Sequence, residues 1–452
     1  FGEDGSKLDE AGFDAVVGNP PYVKIQNIRQ SNPKLAEYAT SYYDTSTGRF
    51  DLYGLFVEKS VELANESTLG YILPNKFFES QAGTGLREFL SNRKIVRSIV
   101  DFGQYQVFEG ATTYTCLLFL GESDSIEYSD VRDIEPLSSS LVDLEYSTIP
   151  MDELDTDGWV LTGPVERQAM KKMGTNGTPL GTVSDYMSEG IVSGDNEVMF
   201  VEVEDWSEDY YLVSCPANEK TYQIESGITH PLIDGDEIER YGATDTHLAV
   251  IYPYRADEES TIELKETVLK EQYPKTYEYL SEFRDRLEDR GTESMDYPKW
   301  YSLWCPREKE LFESEKLLLP DICQRSEFTL DPEGEMYFPN SAYGLVPQEN
   351  SIKHLNYLMA VLNTSPTWFY IYHTSPVLRG NFRRFMTSYL SKVPVPRFEP
   401  KNKTNNFDGI YEDYLSNSST ELPEDKHSFL SYLGKTNLEY HQSENKLNLN
   451  LL

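Results

Sequence analysis

The sequence has few cysteines, and none of them has the spacing that a metal site or a redox pair needs. The four cysteines, Cys116, Cys215, Cys305 and Cys323, are scattered along 452 residues without a CxxC pair. This pattern argues against a zinc site and against a disulfide framework, so we predict no bound metal. It is typical of a reducing cytoplasm, and we expect that location.

Long apolar runs are also missing from the sequence. No stretch approaches the roughly 18 apolar residues that a membrane-spanning helix needs. Residues 116–120 are at most a short buried strand. A basic segment followed by an apolar one, which would mark a chain for export, is not found either. We therefore predict no membrane partner.

Basic residues are scarce relative to acidic ones. The chain has 40 Lys and Arg against 76 Asp and Glu, which gives a formal net charge of -36. This sign is wrong for an ordinary nucleic-acid binder, because phosphate contacts by Lys and Arg normally supply most of the affinity. Either the protein avoids nucleic acids or it is halophilic. The acidic residues are spread along the whole chain, which favours the halophilic interpretation.

The first 125 residues have the pattern of an α/β fold. Four apolar runs predict strands, and two segments have the periodicity of helices. The strands are expected at 13–17, 69–74, 95–102 and 113–120, and the helices at 51–64 and 84–92. Strands that alternate with helices indicate a partial, mostly parallel, Rossmann-like sheet, and the last two runs fit an antiparallel hairpin at its edge.

The remaining chain divides into three segments of different composition. Residues 126–160 are acidic and irregular and are expected to be a connector. Residues 161–400 have short β runs, a long charged helix at about 263–290 and apolar helices near 351–372, which predicts an α+β domain. Residues 401–452 are expected to form a peripheral helical tail. Because the chain begins with Phe rather than Met and opens close to a strand, we expect that an upstream segment is missing.

The tetrapeptide Asn19-Pro20-Pro21-Tyr22 directly follows the first predicted strand. Ligands of open α/β sheets bind beyond the carboxyl ends of the strands, where this turn is expected. The Asn19 side-chain oxygen and the Pro20 carbonyl can both accept hydrogen bonds from one amino group. The prolines make the turn rigid, and Tyr22 offers a flat face for a base. The alternative is an ordinary Asn-Pro turn with a surface tyrosine.

The segment that contains this tetrapeptide, FDAVVGNPPY, resembles the catalytic motif of amino-methyltransferases. The segments that follow it resemble adenine-specific DNA methyltransferases of single-chain, type IIG-like restriction-modification enzymes and of phage-exclusion methylases. These segments are residues 50–56, 70–78, 107–113, 190–196, 231–238, 273–280 and 389–396. By this resemblance residues 1–125 are the C-terminal part of a methyltransferase domain, and residues 161–400 are a target-recognition domain for double-stranded DNA.

The resemblance implies a reaction and a role for each site residue. Asn19 and Pro20 would bind the amine of an adenine extruded from the duplex, while Tyr22 and Phe108 would sandwich its ring. The methyl donor would be S-adenosylmethionine, attacked directly by the amine. Asn75 and Lys76 fit either a contact to DNA or cofactor or an ordinary solvated loop.

The sequence departs from this family in its cofactor segment. The family binds S-adenosylmethionine through a glycine-rich turn upstream of the catalytic loop, but only eighteen residues precede Asn19. We interpret Gly83-Thr84-Gly85 as a helix cap or turn rather than a substitute. By the resemblance, the missing upstream segment is expected to carry the cofactor site and the nuclease that often accompanies this family. Glu313-Ser314-Glu315-Lys316 resembles a nuclease motif only weakly, and we expect a solvated helix face there.

A cluster of basic residues near the end of the second domain is the strongest local signal for DNA binding. Arginine can clamp phosphates or bind guanine edges through two hydrogen bonds. The candidates are Arg379, Arg383, Arg384 and Lys392, with Arg397 close by and weaker candidates at Arg325, Lys299 and the polar loop 190–196. The alternative is that these cations pair with carboxylates of the same chain.

Three functions fit these observations. The first is a site-specific adenine methyltransferase of a restriction-modification or phage-defence system. The second is a DNA-recognition fragment that is inactive without its upstream cofactor segment. The third is a methyltransferase acting on RNA or on protein glutamine, because Asn-Pro-Pro-Tyr serves those substrates as well.

Overall fold

The computed structural model divides the chain into two compact units. Unit 1 comprises residues 1–172 and 372–383, and unit 2 comprises residues 173–371 and 384–452. The chain therefore leaves unit 1 once, returns to it for twelve residues and leaves again. The residues that the structure describes are 12–108, 113–131, 144–154, 156–242, 244, 246–257, 260–291, 297–348, 352–396 and 434–435.

Unit 1 contains a six-stranded sheet with the strand order β1-β2-β4-β3-β5-β6. Strands β1, β2, β3 and β5 run in one direction, and β4 and β6 run against them. The strands are β1 Phe13–Gly18, β2 Ala64–Pro74, β3 Val96–Asp101, β4 Thr115–Leu120, β5 Ser125–Asp130 and β6 Ser147–Pro150. The predicted α/β class and the antiparallel pairing of the last two predicted strands are confirmed.

Two sequence predictions for unit 1 are wrong. The antiparallel pair does not form the edge of the sheet, because β4 is inserted between β2 and β3 and two further strands follow. The predicted connector at 126–160 contains those strands, β5 and β6. Their polar composition concealed them, since β5 presents only Ile126, Tyr128 and Ser129 to the interior. The predicted helical tail at 401–452 lies outside the described residues except for 434 and 435.

Two helices of unit 1 lie where the sequence periodicity predicts them, and two further helices between residues 25 and 42 were not predicted. The helix at 52–63 buries Tyr53, Val57 and Ser60, and the helix at 84–93 buries Leu86 and Leu90. The helices are α1 Ile25–Ser31, α2 Pro33–Tyr42, α3 Leu52–Leu63 and α4 Thr84–Arg93, with α5 Pro164–Asn176 crossing into unit 2.

A buried arginine joins several segments of unit 1. The Arg87 side chain is 0% exposed. It donates to the carbonyls of Thr156 at 2.8 Å, Phe77 at 2.5 Å and Ser80 at 2.8 Å. Gly83 caps α4 as predicted, and a Cβ atom there would lie 2.3 Å from the Phe77 carbonyl oxygen. The glycine is therefore needed for close packing.

Unit 2 is an α+β assembly of small sheets. Its largest sheet has five strands in the order β11-β10-β9-β13-β12, and a second has the order β18-β16-β19-β8. The strands are β7 Gly177–Pro179, β8 Ser184–Glu189, β9 Phe200–Trp206, β10 Tyr210–Cys215, β11 Lys220–Glu225, β12 Thr229–Leu232, β13 Leu248–Ile251, β14 Tyr254–Ala256, β15 Thr261–Glu263, β16 Lys316–Pro320, β17 Ile322–Cys323, β18 Thr329–Asp331, β19 Ala342–Pro347, β20 Val377–Leu378, β21 Phe382–Arg384 and β22 Pro394–Pro396, of which β20 and all of β21 except Arg384 lie in unit 1.

The long charged helix predicted at 263–290 is three short helices. Pro274 is the first residue of the second helix, and a proline lacks the N–H group that would continue the first helix. The apolar helices predicted near 351–372 are confirmed. The helices are α6 Asn196–Met199, α7 Glu266–Gln272, α8 Pro274–Glu282, α9 Arg284–Glu288, α10 Lys309–Glu313, α11 Ile352–Leu362, α12 Ser365–Thr374 and α13 Thr387–Leu390.

The solvated helix face predicted at 313–316 is wrong for Lys316. This residue begins β16, and its side chain is 0% exposed. The ammonium group lies 2.5 Å from Asp331, which also accepts hydrogen bonds from the Gly334 and Met336 amides. The pair and its backbone partners are satisfied within the core, so this segment is structural.

Within the described residues no helix combines the length and the apolar character needed to cross a membrane. The same residues do not gather three or more His, Cys, Asp or Glu side chains in a metal-binding arrangement.

The stability of unit 2 is expected to depend on the protonation of His230. Its ring stacks on Tyr337 with 4.3 Å between centroids, and burial, followed by the nearby Lys309, lowers the pKa of His230 to about 4. The unfolded chain binds this proton near pH 6.5. The free energy of unfolding should therefore fall as the pH drops from about 6.5 towards 4.

Replacing His230 by Gln should remove this part of the pH dependence, which we expect to be about 2 kcal/mol between pH 7 and pH 5. Urea unfolding of both proteins at the two pH values measures the difference. Equal pH dependence in the two proteins would show that His230 is not the responsible group.

Candidate functional site

The Asn-Pro-Pro-Tyr turn lies at the carboxyl edge of the sheet in unit 1. It follows β1 directly, and because β1 and β2 are parallel, Asn75 follows β2 at the same edge. Asn19 is exposed and Pro20 is buried. A Cβ atom on Gly18 would lie 2.8 Å from the Tyr71 ring, so a larger residue could not precede the turn without displacing that ring. The turn therefore presents the Asn19 side chain to solvent.

Tyr22 anchors the turn to the neighbouring strand. Its hydroxyl donates to the Ile72 carbonyl at 3.1 Å, and its ring packs edge-on against the Tyr53 ring with 6.4 Å between centroids. Burial, with a smaller effect from Cys116, raises the pKa of Tyr22 to about 12. The phenol is therefore neutral at physiological pH and acts as a hydrogen-bond donor rather than a base.

The residues after Tyr22 are held by the segment that precedes α3. The Ile25 amide donates to the Phe50 carbonyl at 3.0 Å, and the Leu52 amide donates to the Val23 carbonyl at 2.9 Å. Both ends of the turn are thus fixed by backbone hydrogen bonds, as positioning of a reacting group requires.

Lys76 has an internal partner, which the alternative of an ordinary solvated loop did not predict. Its ammonium lies 2.7 Å from the Asp51 carboxylate, whose side chain is 3% exposed. Burial, followed by the Asp51 charge, raises the pKa of Tyr53 well above its ordinary value. Lys76 remains 44% exposed, so one ammonium both neutralises a buried carboxylate beneath the turn and faces solvent at the sheet edge.

Asp101 organises the neighbouring part of the edge, and the sequence analysis did not identify it. Its carboxylate accepts from the Asn75 side chain at 2.9 Å, the Gly103 amide at 3.0 Å and the Tyr128 hydroxyl at 3.4 Å. The sequence signal was an aspartate that ends an apolar strand, but two of its partners, Asn75 and Tyr128, are distant in the sequence. Asn75 therefore has a structural role as a hydrogen-bond donor to Asp101.

A cavity of about 1120 Å³ lies at this edge, entirely within unit 1. Its lining includes Asn75 and Asp101, the loop residues Gly103 to Tyr105 and the returning segment with Asn381 and Arg383. Phe108 is half-buried in the loop between β3 and β4, which also lies at the carboxyl edge. The turn, Phe108 and the cavity thus lie along the same edge of the sheet, although neither the turn nor Phe108 lines the cavity.

Two of the predicted DNA-binding arginines have partners within their own unit. Arg383 is 2% exposed, donates to the Ser375 carbonyl at 3.1 Å and lies 4.2 Å above the Tyr372 ring. Arg384 forms an ion pair with Asp321. A buried guanidinium cannot contact a phosphate, so a direct contact by Arg383 is wrong for this conformation. Arg384 fits the alternative of an internal carboxylate partner.

The other basic candidates are exposed, paired with a carboxylate or outside the described residues. Arg379 and Lys392 are exposed, and Arg397 lies outside the described residues. Arg325 pairs with Glu327 at 2.7 Å, and Lys299 pairs with Glu263 at 2.5 Å. The weaker candidates therefore have internal partners too.

The polar loop at 190–196 is held by the rest of unit 2. The Ile191 amide donates to the Phe338 carbonyl at 2.9 Å, and Asp195 lies 2.6 Å from Arg286. These contacts fit the turn alternative.

Two family descriptions match parts of this chain. Residues 3–108 match the Eco57I restriction-modification methylase family, and residues 230–395 match the TaqI-like C-terminal specificity domain. The first match contains the Asn-Pro-Pro-Tyr turn and Phe108, and the second contains most of unit 2.

Curated relatives align with most of the chain. The type II restriction enzyme and methyltransferase RM.Eco57I of Escherichia coli is 28% identical over 86% of this chain and 41% of its own length. The type II methyltransferase M.BstVI of Geobacillus stearothermophilus is 25% identical over 87% of this chain and 68% of its own. This chain thus spans less than half of the first relative.

Among solved structures, the type IIL restriction-modification enzyme MmeI in complex with DNA has a similar fold. The TM-score is 0.57 at 12% identity, and the match covers 96% of this chain and 55% of that one.

Proposed function

We propose that this chain, which is homologous to the type II DNA methyltransferases of restriction-modification systems, carries the catalytic loop and the target-recognition domain of such an enzyme. The reaction would transfer a methyl group from S-adenosylmethionine to the exocyclic amine of adenine at a specific site in double-stranded DNA. The observation that carries the proposal is the anchored Asn-Pro-Pro-Tyr turn at the carboxyl edge of the sheet.

The turn would prepare the amine for methylation. The Asn19 side-chain oxygen and the Pro20 carbonyl would each accept a hydrogen bond from the amine. These two hydrogen bonds draw the nitrogen from planar towards tetrahedral and expose its lone pair. Tyr22 would stack on the extruded ring, with Phe108 on the other face. Because the Tyr22 hydroxyl is bound to the Ile72 carbonyl, only the ring is offered to the base.

The glycine pair that the sequence offers as a substitute cofactor turn does not fit S-adenosylmethionine. The single candidate glycine pair, Gly83 and Gly85, starts α4, and both positions are filled by neighbouring backbone atoms. We therefore derive no step through the cofactor and propose that its site lies in a further segment of the protein, which could also carry a nuclease.

The exposed edge of the sheet supports this further segment. Among the described residues β1 has a strand neighbour on one side only, and Phe13 and Val17 on it are 60% and 83% exposed. An open parallel strand with apolar side chains is an unfavourable surface that a neighbouring segment would cover.

The first prediction concerns the cofactor. Calorimetric titration of S-adenosylmethionine into this folded chain in molar potassium chloride should show no saturable binding, because the cofactor site is incomplete. The longer protein should bind under the same conditions. Saturable binding by this chain alone would place the site within its 452 residues.

The second prediction concerns Asn19. In the longer protein, Asn19→Ala should lower the methylation rate at least about 100-fold, as loss of one preorganised polar contact does elsewhere. DNA affinity should change little. Asn27→Ala, which removes another exposed asparagine eight positions along the chain, is the control. Methylation of DNA by the Asn19 variant at the normal rate would refute the catalytic assignment.

Residues 161–400 are proposed to read the DNA site, with Arg379 and Lys392 as phosphate or base contacts. A halophilic protein would work in concentrated salt, where the Debye length is about 3 Å at 1 M. The usual gain from counterion release is then small, and base contacts and DNA shape would dominate the affinity. The net charge of -36 supports this halophilic proposal.

The third prediction distinguishes an arginine that contacts DNA from an arginine that stabilises the fold. Arg379→Ala should weaken DNA binding and reduce the salt dependence of the affinity by about one unit of slope. Arg384→Ala should instead lower the free energy of unfolding, because it leaves Asp321 without its guanidinium partner. Filter binding at several salt concentrations and urea unfolding measure the two effects, and an Arg379 variant with unchanged DNA affinity would contradict the assignment.

The alternatives differ in substrate. The match of residues 230–395 to a specificity domain favours DNA over RNA or protein glutamine. A recognition fragment without activity of its own is the remaining alternative, which the cofactor titration addresses. A cytoplasmic location stays a prediction from cysteine usage.

A further inference from the structure

A short hairpin returns from unit 2 to unit 1. Strands β20 and β21 are antiparallel, with Val377 opposite Arg383 and Leu378 opposite Phe382, so the turn is formed by residues 379–381. Residues 377–383, which we name the returning hairpin, belong to unit 1 together with residues 372–376, whereas the chain before residue 372 and after residue 383 belongs to unit 2.

The returning hairpin has a fixed shape. Its base is held by Arg383, which is buried over the Tyr372 ring and donates to the Ser375 carbonyl. At the tip, Gly380 has φ +82°, and a Cβ atom there would lie 3.3 Å from the Phe382 ring. Asn381 also has a positive φ, 64°. A glycine followed by an asparagine is the residue pair that tolerates this left-handed turn.

An aromatic side chain directly after the turn and a cation within the turn are exposed to solvent. Phe382 is 36% exposed, and Arg379, across the turn, is exposed as well. A single exposed phenylalanine is not unusual on a protein surface. Phe382 differs from other exposed phenylalanines in its position, because it lies on a hairpin of fixed shape beside a guanidinium group.

The returning hairpin lies at the edge of the sheet that holds the proposed catalytic turn. Pro376, Val377 and Asn381 line the same cavity as Asn75 and Tyr105. Asn75 follows the strand whose Ile72 carbonyl binds Tyr22. Through Asn381 the returning hairpin therefore reaches the carboxyl edge of the sheet, along which the proposed catalytic turn also lies.

We propose that Phe382 inserts into the DNA stack at the gap left by the extruded adenine, while Arg379 contacts the adjacent phosphate. This inference rests on the proposed methyltransferase function. Extrusion breaks two stacking contacts and leaves a partner base unpaired. An apolar side chain that enters a base step compensates for lost stacking, and it must come from a rigid element to do so without a large entropy cost.

The test uses the longer protein and a duplex that contains its methylation site, mapped by sequencing methylated adenines in treated DNA. With 2-aminopurine in place of the target adenine, extrusion raises the fluorescence. Phe382→Ala should reduce the extruded fraction and the methylation rate on the normal duplex by about 10- to 100-fold. Phe382→Trp should keep both close to the wild-type values.

A second duplex distinguishes insertion from a structural role. When the partner thymine is replaced by an abasic residue, the stack is already interrupted, and the Phe382→Ala variant should approach the wild-type rate. Phe56→Ala, which removes another exposed phenylalanine of unit 1, is the matched control and should be normal on both duplexes.

Each outcome separates the two proposals. Normal extrusion by Phe382→Ala, or an equal loss on both duplexes, would overturn the insertion of Phe382 while leaving the methyltransferase intact. Absence of adenine methylation by the wild-type longer protein would instead overturn the proposed function.

Discussion

The hydrogen bond from the Tyr22 hydroxyl to the Ile72 carbonyl is the contact on which the proposed site depends. It ties a proline-rich turn to the neighbouring parallel strand, while backbone bonds from Ile25 and Leu52 fix the residues that follow. A turn at the end of an edge strand would otherwise be free to move with its loop. Because both ends of this turn are held, Asn19 can be exposed and still keep a defined position, which is the condition for activating a bound amine.

Several cations of this acidic chain are buried inside the fold. Arg87 and Lys316 are fully buried, and Arg383 is nearly so. They satisfy backbone carbonyls and a buried carboxylate that would be costly to leave unpaired. These three cations are therefore structural, and a basic cluster in the sequence is a weak indication of a DNA surface. Of the four predicted DNA-binding residues, Arg379 and Lys392 are the exposed ones.

The path of the chain adds a second constraint. Arg383 and Arg384 are consecutive, yet the first is anchored in unit 1 and the second in unit 2. The returning hairpin thus gives unit 1 a piece of the segment that otherwise belongs to unit 2. Such a connection lets one stretch of chain contribute to both recognition and base extrusion under the function we propose.

The sequence by itself determined the elements whose signals are local. The apolar run before Asn19, the helical period after Asp51 and the glycine that starts α4 predicted their structures, because turn chemistry and periodicity act over a few residues. Pro274 is an equally local signal, because a proline at this position ends the first of the three helices.

Tertiary structure alone decided the features that depend on distant partners. Strands β5 and β6 have polar sequences, so they can be recognised as strands only from the pairing of β5 with β3 and of β5 with β6. The burial of Lys316 depends on Asp331, the role of Asn75 on Asp101, and the anchoring of Arg384 on Asp321. A charged side chain has the same sequence signal whether it meets solvent, DNA or a carboxylate of its own chain, and only the folded packing selects among them.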